Sequence, residues 1–421
     1  SVYINMNFLA PFFQKRLLVC IFCGFSSGLP LYLLIQLIPA WMRSENIDLG
    51  TIGIFSMFSM PYTWKFLWAP FLDIIEPPIL KIRRGWTLLT QITLFVLIFL
   101  IGQFSVQEHL YVIGFLCLLI SFVSASQDIV LDAYRREILP DKELGLGNSY
   151  FVNAYRLSSL IPGSLALILS DLMSWNLVFL IVASSMSIGI IGTLWMDEPQ
   201  LETRQQTQKT SLLDSLSTIF KDFFSRFGVR QTFYISLFIL LYKLGDNMAT
   251  ALSTPFYLDM GFSKTTIGTT VKFASLWSSI FGGFVGGALM LRIGINKALW
   301  IFGAIQMLSI LGFAYLSTVG KDQTVLFWVV SFEYLGVGLG TAAFVAFIAQ
   351  KTNPLYAASQ IALLTSLMGL TRSFSNATTG FLIEYFGYEK FFYLCTLLAI
   401  PGMILLLVVA PFSKSDVEDH I

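Results

Sequence analysis

Apolar runs of about 20 residues or more, broken by short polar turns, recur twelve times along the chain. They cover about 17–42, 51–72, 86–105, 109–134, 146–170, 174–196, 231–258, 265–290, 298–318, 323–349, 356–384 and 388–411. A helix of that length crosses the hydrocarbon of a bilayer, so each run predicts one membrane span. Backbone N–H and C=O groups in lipid must be satisfied within the segment or in a closed barrel. The runs are continuous rather than alternating, which excludes the barrel. The first run is too long for the apolar part of a signal peptide and is expected to be retained as a span.

One polar interruption, 197–230, is longer than the rest. It divides the chain into an N-terminal six-helix half (1–196), a cytoplasmic linker (197–230) and a C-terminal six-helix half (231–421). The linker opens with the solvated stretch DEPQLETRQQTQKT. Beyond it, Leu212, Leu213, Leu216, Ile219, Phe220, Phe223, Phe224 and Phe227 fall on one helical face. That spacing predicts an amphipathic helix on the cytoplasmic membrane surface, with Ser211 and Asp214 suited to cap it. The halves also repeat. Thr51-Ile52-Gly53 matches Thr266-Ile267-Gly268, Pro140 matches Pro354, and Arg156 matches Arg372, at offsets of 215, 214 and 216. Two pseudo-symmetric six-helix halves indicate an all-α membrane protein with the major facilitator architecture of twelve transmembrane helices. Substrate binds near the midplane between the halves in such folds. GxxxG pairs at Gly24/Gly28, Gly282/Gly286 and Gly336/Gly340 predict close helix approach. Pro30, Pro39 and Pro61 predict kinks in the first two spans.

Composition agrees with this picture. The 421 residues are 56% hydrophobic and 12% charged, against about 25% charged in a soluble protein. The mean hydropathy is +0.74. A net charge of +1 with no basic domain gives no footprint for nucleic acid. Lysines and arginines are divided unequally between the two sets of loops. One set holds seventeen; the other holds only Arg43, Lys264, Lys321 and Lys390. The positive-inside rule then places both termini in the cytoplasm. Cys20 and Cys23 form a C-x-x-C inside the first span, where packing explains them better than redox chemistry.

Nine charges fall inside the apolar runs: Lys65, Asp128, Asp132, Arg156, Lys243, Asp246, Lys272, Glu333 and Arg372. Each costs roughly 2.5–3.5 kcal/mol on insertion scales, so such residues face a protein interior or a wet cavity. Asp128 and Asp132, four apart, share one helix face. Adjacent carboxylates in an apolar setting compete to hold a proton, which is the chemistry a proton carrier needs. Asp132, nearer the basic loop, suits a gate salt bridge equally well. Lys243 and Asp246, three apart, can pair. Five cations against four anions suit an anionic substrate, and arginine would hold its carboxylate or phosphate through two parallel hydrogen bonds. The structural alternative is complete internal pairing, with Lys272 reaching outward. Trp41, Trp64, Tyr155, Tyr242 and Trp277 lie near these charges or at span ends; packing is the default reading for them. Neither histidine, His109 or His420, sits in an enzyme constellation. There is no HExxH, nucleophile elbow or P-loop, so neither catalysis nor a cofactor is expected.

Several segments resemble the AmpG muropeptide permease family of bacterial inner membranes. They are GFSSGLP at 24–30, ENIDLGTIG at 45–53, KFLWAP at 65–70 with Asp73, RRGWTLLTQI at 83–92, SASQDIVLDA at 124–133, LYKLGD at 241–246 and TAAFVA at 341–346. The acetyl-CoA transporters share a similar layout more distantly. The resemblance implies proton-coupled import of N-acetylglucosaminyl-1,6-anhydro-N-acetylmuramyl peptides from periplasm to cytoplasm, for cell-wall recycling and β-lactamase induction signalling. It places Asp128 and Asp132 in the family's acidic motif, as the proton-coupling pair. Lys65, Arg156, Lys243, Asp246, Lys272, Glu333 and Arg372 then form the substrate-binding or central charge network. Some members carry two further C-terminal spans beyond the twelve-span core. The expected partners are the amino-sugar peptide, protons and membrane lipid, with the chain a monomer. Two other readings stay open: a carrier of another anionic metabolite, such as a CoA thioester or nucleotide, and a non-transporting membrane sensor or scaffold.

Overall fold

A computed structural model describes residues 10–47, 51, 55, 57–200, 212–263 and 266–413. Among these residues the chain is helical throughout, with sixteen α-helices. In the N-terminal half these are α1 Lys15–Tyr32, α2 Ile38–Ser44, α3 Pro61–Trp64, α4 Ala69–Ile74, α5 Ile82–Ile101, α6 Leu110–Ile138, α7 Leu144–Ser158, α8 Ala166–Ser170 and α9 Trp175–Trp195. The rest are α10 Leu212–Leu241, α11 Leu244–Ala251, α12 Ser253–Asp259, α13 Lys272–Val319, α14 Gln323–Gln350, α15 Ala357–Phe386 and α16 Tyr388–Val409.

Among the described residues, eight helical stretches are long and apolar enough to span a membrane, including Lys15–Met42, Leu110–Ile138, Gln323–Gln350 and Tyr388–Val409. The stretch Thr269–Val319 breaks at Gly294, whose φ of 80° is a left-handed conformation that glycine adopts without steric cost. It therefore contains two of the expected spans. The remaining expected spans, 51–72, 231–258 and 356–384, are interrupted or polar. In the first, Pro61 opens α3 rather than kinking a continuous helix, and a 3-10 turn at Lys65–Leu67 separates α3 from α4. In the second, the helix breaks at Lys243. In the first span, Pro30 and Pro39 flank a π-helical stretch, Leu33–Leu37, a local widening of the kind found where helices bend.

The chain forms two compact units. One comprises 1–140, 150–219 and 352–363; the other comprises 141–149, 220–351 and 364–421. Each unit thus takes a short segment from the opposite end of the sequence. In the first unit, α5 packs on α6 and α9, and α1 packs on α6 and α9. Their apolar faces meet in a core built from Leu29, Leu94, Ile98, Ile120, Val182 and Met186. Trp41 is buried in that core against Phe179, which settles it as a packing residue. In the second unit, α13 packs on α14 and α16. Its core is aromatic, with Phe313 stacked on Phe392 at 5.4 Å between ring centroids. Asp322 starts α14, its carboxylate accepting from the backbone N–H of Thr324 and Val325.

The small-residue pairs act as predicted only in part. A Cβ on Gly24 or Gly28 would collide with backbone carbonyls of α7 and one on Gly282 with the Leu335 carbonyl of α14, whereas Gly286 and Gly336 have no neighbour closer than 3.2 Å and Gly340 meets only the Gln306 side chain. All four cysteines are buried thiols, not joined in disulfides. The linker stretch 201–211 and the side chains of Leu212, Leu213, Leu216, Ile219 and Phe220 lie outside the described residues, as do Ser211 and its cap. Of the remaining apolar face, Phe223 is buried and Phe224 is half exposed, and the helix turns sharply at Gly228. Thr51 is described, whereas Ile52 and Gly53 lie outside.

Candidate functional site

Three clusters of buried charge stand out, two in the first unit and one in the second. The first cluster lies where the second span is broken. The 3-10 turn after α3 presents Lys65, which is nearly buried, to the face of α6 that carries Asp128 and Asp132. Lys65 Nζ lies 3.8 Å from Asp132 Oδ2, and Arg135 Nη2 donates to Asp132 Oδ1 at 2.6 Å. Asp132 is therefore held between two cations. Asp128, one turn deeper, accepts a short hydrogen bond from the Ser27 hydroxyl of α1. Tyr62 and Trp68 fix the flanking face of α6, donating to Ser124 at 2.7 Å and Ser126 at 2.9 Å. Beside them, Ser26, Gln91, Gln127 and Thr193 form a buried network joining α1, α5, α6 and α9. Such a network holds helices in register because each lost bond would strand a polar group in an apolar interior.

The second cluster centres on Arg83, a residue whose burial sequence reasoning missed. Arg83 is fully buried in the first turn of α5. Its Nη2 donates to Asp73 Oδ1 at 2.7 Å and to Glu137 Oε1 at 2.6 Å, and its Nε reaches both oxygens of Glu137 at 3.0 Å. Asp73 does more. Its carboxylate also accepts from the backbone N–H of Ala358 and Ser359 and from the Ser359 hydroxyl. These are the free N–H groups at the start of α15, where the helix dipole favours a negative charge. Glu198 serves α5 in the same way, accepting from the N–H of Arg83 and Arg84 at 2.9 Å each. The only sequence signals were Asp73 just after KFLWAP and Glu137 at the end of α6. Neither lay deep in an apolar run, so the intramembrane count passed them over.

The third cluster lies in the second unit. The break before α11 places Lys243 at the cap position and Asp246 in the first turn. Lys243 Nζ pairs with Asp246 Oδ2 at 3.2 Å and reaches Thr341 Oγ1 at 3.4 Å. Glu333, on α14, is fully buried and accepts from Ser309 Oγ at 2.7 Å. Tyr242 is buried beside it and donates to the Leu299 carbonyl. A small cavity opens here, lined in part by Tyr242, Asp246, Gly303 and Gln306.

The other charges are placed differently. Arg156 is half-buried on α7, in the first unit, while Arg372 is exposed on α15, in the second. Lys272 is exposed at the start of α13. Tyr155 packs edge-on against Tyr32, and Trp64 and Trp277 are about half exposed.

A helical bundle with buried ion pairs at its broken spans is the build of a membrane transporter. Comparison with known proteins agrees. The sequence profile of the Major Facilitator Superfamily matches residues 20–375. The anhydromuropeptide permease of Escherichia coli is 38% identical, over 96% of this chain and 82% of its own. An uncharacterized protein of Haemophilus influenzae is 45% identical over 96% of both chains. A putative AmpG transporter of Rickettsia conorii is 30% identical, over 94% of this chain and 98% of its own. Among solved structures, the transporter FucP in its outward conformation superposes with a TM-score of 0.72 over 96% of this chain and all of its own, at 12% identity. The chain belongs to the Major Facilitator Superfamily and, within it, to the AmpG muropeptide permease family. It is a multi-pass inner-membrane permease for a small molecule, and its relatives are transporters rather than enzymes.

Proposed function

We propose that this protein is a proton-coupled importer of anhydromuropeptides, carrying N-acetylglucosaminyl-1,6-anhydro-N-acetylmuramyl peptides from periplasm to cytoplasm for cell-wall recycling. The observation that carries this reading is the 38% identity to the Escherichia coli permease across nearly the whole chain. The buried charges support turnover over a scaffold role, because intramembrane charge is costly and is kept where it serves a path. In this reading Arg156 and Arg372 take substrate carboxylates, and Lys65, Lys243, Asp246, Lys272 and Glu333 complete the charge network. Asp128 and Asp132 couple the proton. Asp128, which accepts from the Ser27 hydroxyl, fits that role, while Asp132, held between Lys65 and Arg135, fits a gate. The protein works as a monomer in lipid with both termini in the cytoplasm.

Uptake by purified protein in proteoliposomes tests the proposal. The panel is an anhydromuropeptide, a CoA thioester and a nucleotide, each with and without an inward proton gradient. Gradient-dependent accumulation of the muropeptide alone is expected. Uptake of another panel member instead would make the protein a carrier of a different anion, and no uptake of any would favour a sensor.

A further inference from the structure

Three span ends meet at one edge of the second unit. α16 ends at Val409, α13 breaks at Gly294, and α10 turns at Gly228. The last carbonyls of a helix have no partner within it and need donors from outside. Here Gln231 Nε2, on α10, donates to the Val408 carbonyl at 3.3 Å, and Trp300 Nε1, on α13, donates to the Ala410 carbonyl at 2.8 Å. These two bonds tie the ends together, and each brings a cation with it. Arg230 directly precedes Gln231, and its guanidinium carbon lies 5.6 Å from the ring centre of Tyr234. Lys297 stands one turn before Trp300, with Nζ 5.6 Å from the ring centre of Phe412. Both cations are exposed, and neither has a carboxylate partner among the described residues. Arg226, four residues before Arg230, is by contrast paired with Asp222.

The surface around these cations is apolar. Val229 is 74% exposed, Phe233 62% and Phe412 51%. On α16, Leu397, Ile404 and Leu407 are also exposed. Their spacing puts them on one face of the helix, running from its middle to the end that Phe412 follows. An exposed apolar face on a spanning helix lies against acyl chains. Aromatic and basic side chains at a span end sit at headgroup level, where the cation reaches out of the hydrocarbon. Two positive charges at that level, above an apolar strip, complement a phosphate joined to acyl chains better than a free anion.

We propose that this edge is a binding site for an anionic phospholipid. Arg230 and Lys297, on the two helices bonded to the end of α16, hold the headgroup phosphate, and the acyl chains lie along the exposed face of α16. The lipid supplies the counter-charge that no described residue provides. On the loop-charge orientation the site belongs to the cytoplasmic leaflet. The binding itself does not depend on which substrate the protein carries.

Native mass spectrometry of the full-length protein tests the site. Purified protein is mixed with phosphatidylglycerol and phosphatidylcholine of identical acyl chains, and the retained lipids are compared. The wild type should retain phosphatidylglycerol in preference. A basic side chain near an anionic lipid surface favours binding roughly fivefold, so Arg230→Gln and Lys297→Gln should each lower the preference by about that factor, and together by more. Lys321→Gln with Lys390→Gln removes the same charge from the other set of loops and should leave the preference unchanged. No preference in the wild type, an undiminished preference in the Arg230/Lys297 double variant, or an equal fall in the control would each overturn the proposal. Displacement of the lipid by inorganic phosphate at equal concentration would make this a site for a free anion and overturn it too. The competing occupant is the chain's own acidic end, Asp416, Glu418 and Asp419, which lies outside the described residues. A preference absent in the wild type and present in a chain ending at Ser413 would assign the two cations to that segment instead of to lipid.

Discussion

Asp132 is gripped by Lys65 and Arg135, whereas Asp128, on the same face one turn away, has a serine hydroxyl as its hydrogen-bond partner. The difference is in line with the sequence reading, which favours protonation at Asp128 and leaves gate and proton transfer equal at Asp132. A carboxylate bridged to two cations suits a gate salt bridge, and Asp128, which accepts from a serine hydroxyl, is the one we assign to proton coupling. Asp128→Asn is therefore expected to abolish proton-driven uptake while leaving membrane insertion and yield intact. PH-dependent accumulation at the wild-type level in that variant would remove Asp128 from the mechanism. Arginine chemistry gives a second test. Arg156→Lys and Arg372→Lys keep the charge and lose the planar fork. At least one should weaken binding of an anionic muropeptide on the order of tenfold, equivalent to about 1.4 kcal/mol. Substrate titration of the purified variants reads this directly. Unchanged affinity in both, with reduced yield, would leave the two arginines as braces.

Among the helices, irregularity and charge coincide. Lys65 sits on a 3-10 turn and Lys243 at a break between α10 and α11. Broken spans free backbone groups that must then be satisfied inside the protein, so they are tolerated where they line a polar site. The start of α15 follows the same logic. Its free N–H groups at Ala358 and Ser359 are met by Asp73, which is itself bound to the buried Arg83. Asp73→Ala would uncap α15 and take one of the two carboxylates from Arg83, leaving Glu137 and the Leu72 carbonyl. Removing one partner of a buried pair costs about 3–5 kcal/mol. A clear fall in the thermal midpoint of the detergent-purified protein is expected, with Ser359→Ala giving a smaller fall. An unchanged midpoint in Asp73→Ala would show that the carboxylate does not hold α15.

For the molecule as a whole, the sequence repeat and the two compact units point to one design used twice. Pro140 follows α6 directly before segment 141–149, and Pro354 lies within segment 352–363 after α14; these are the two segments that the units take from the other half of the chain. The orientation of this assembly in the membrane rests on loop charge. Alkaline phosphatase fused after residue 215 should be inactive, and a fluorescent protein fused at the C-terminus should fluoresce. High phosphatase activity at that junction would invert the topology.

The amino-acid sequence by itself determined that this is a helical membrane protein of the AmpG family, and where most of its spans lie. Hydrocarbon thickness and the need to satisfy every backbone group act on each segment separately, so a local pattern suffices to read them. It also exposed most of the charges that matter, because a lysine or carboxylate in an apolar run is conspicuous. The partners of those charges were decided only by the tertiary structure. Asp73 meets Ser359 across 286 positions, and Ser27 meets Asp128 across 101. Glu333 on α14 accepts from Ser309 on α13, so nothing in the spacing along either helix reveals the contact. Arg83 looked like an ordinary loop cation by the positive-inside rule, yet it is fully buried. Pairing of buried charge depends on which helix faces meet, and that is a property of the packed bundle rather than of any one span.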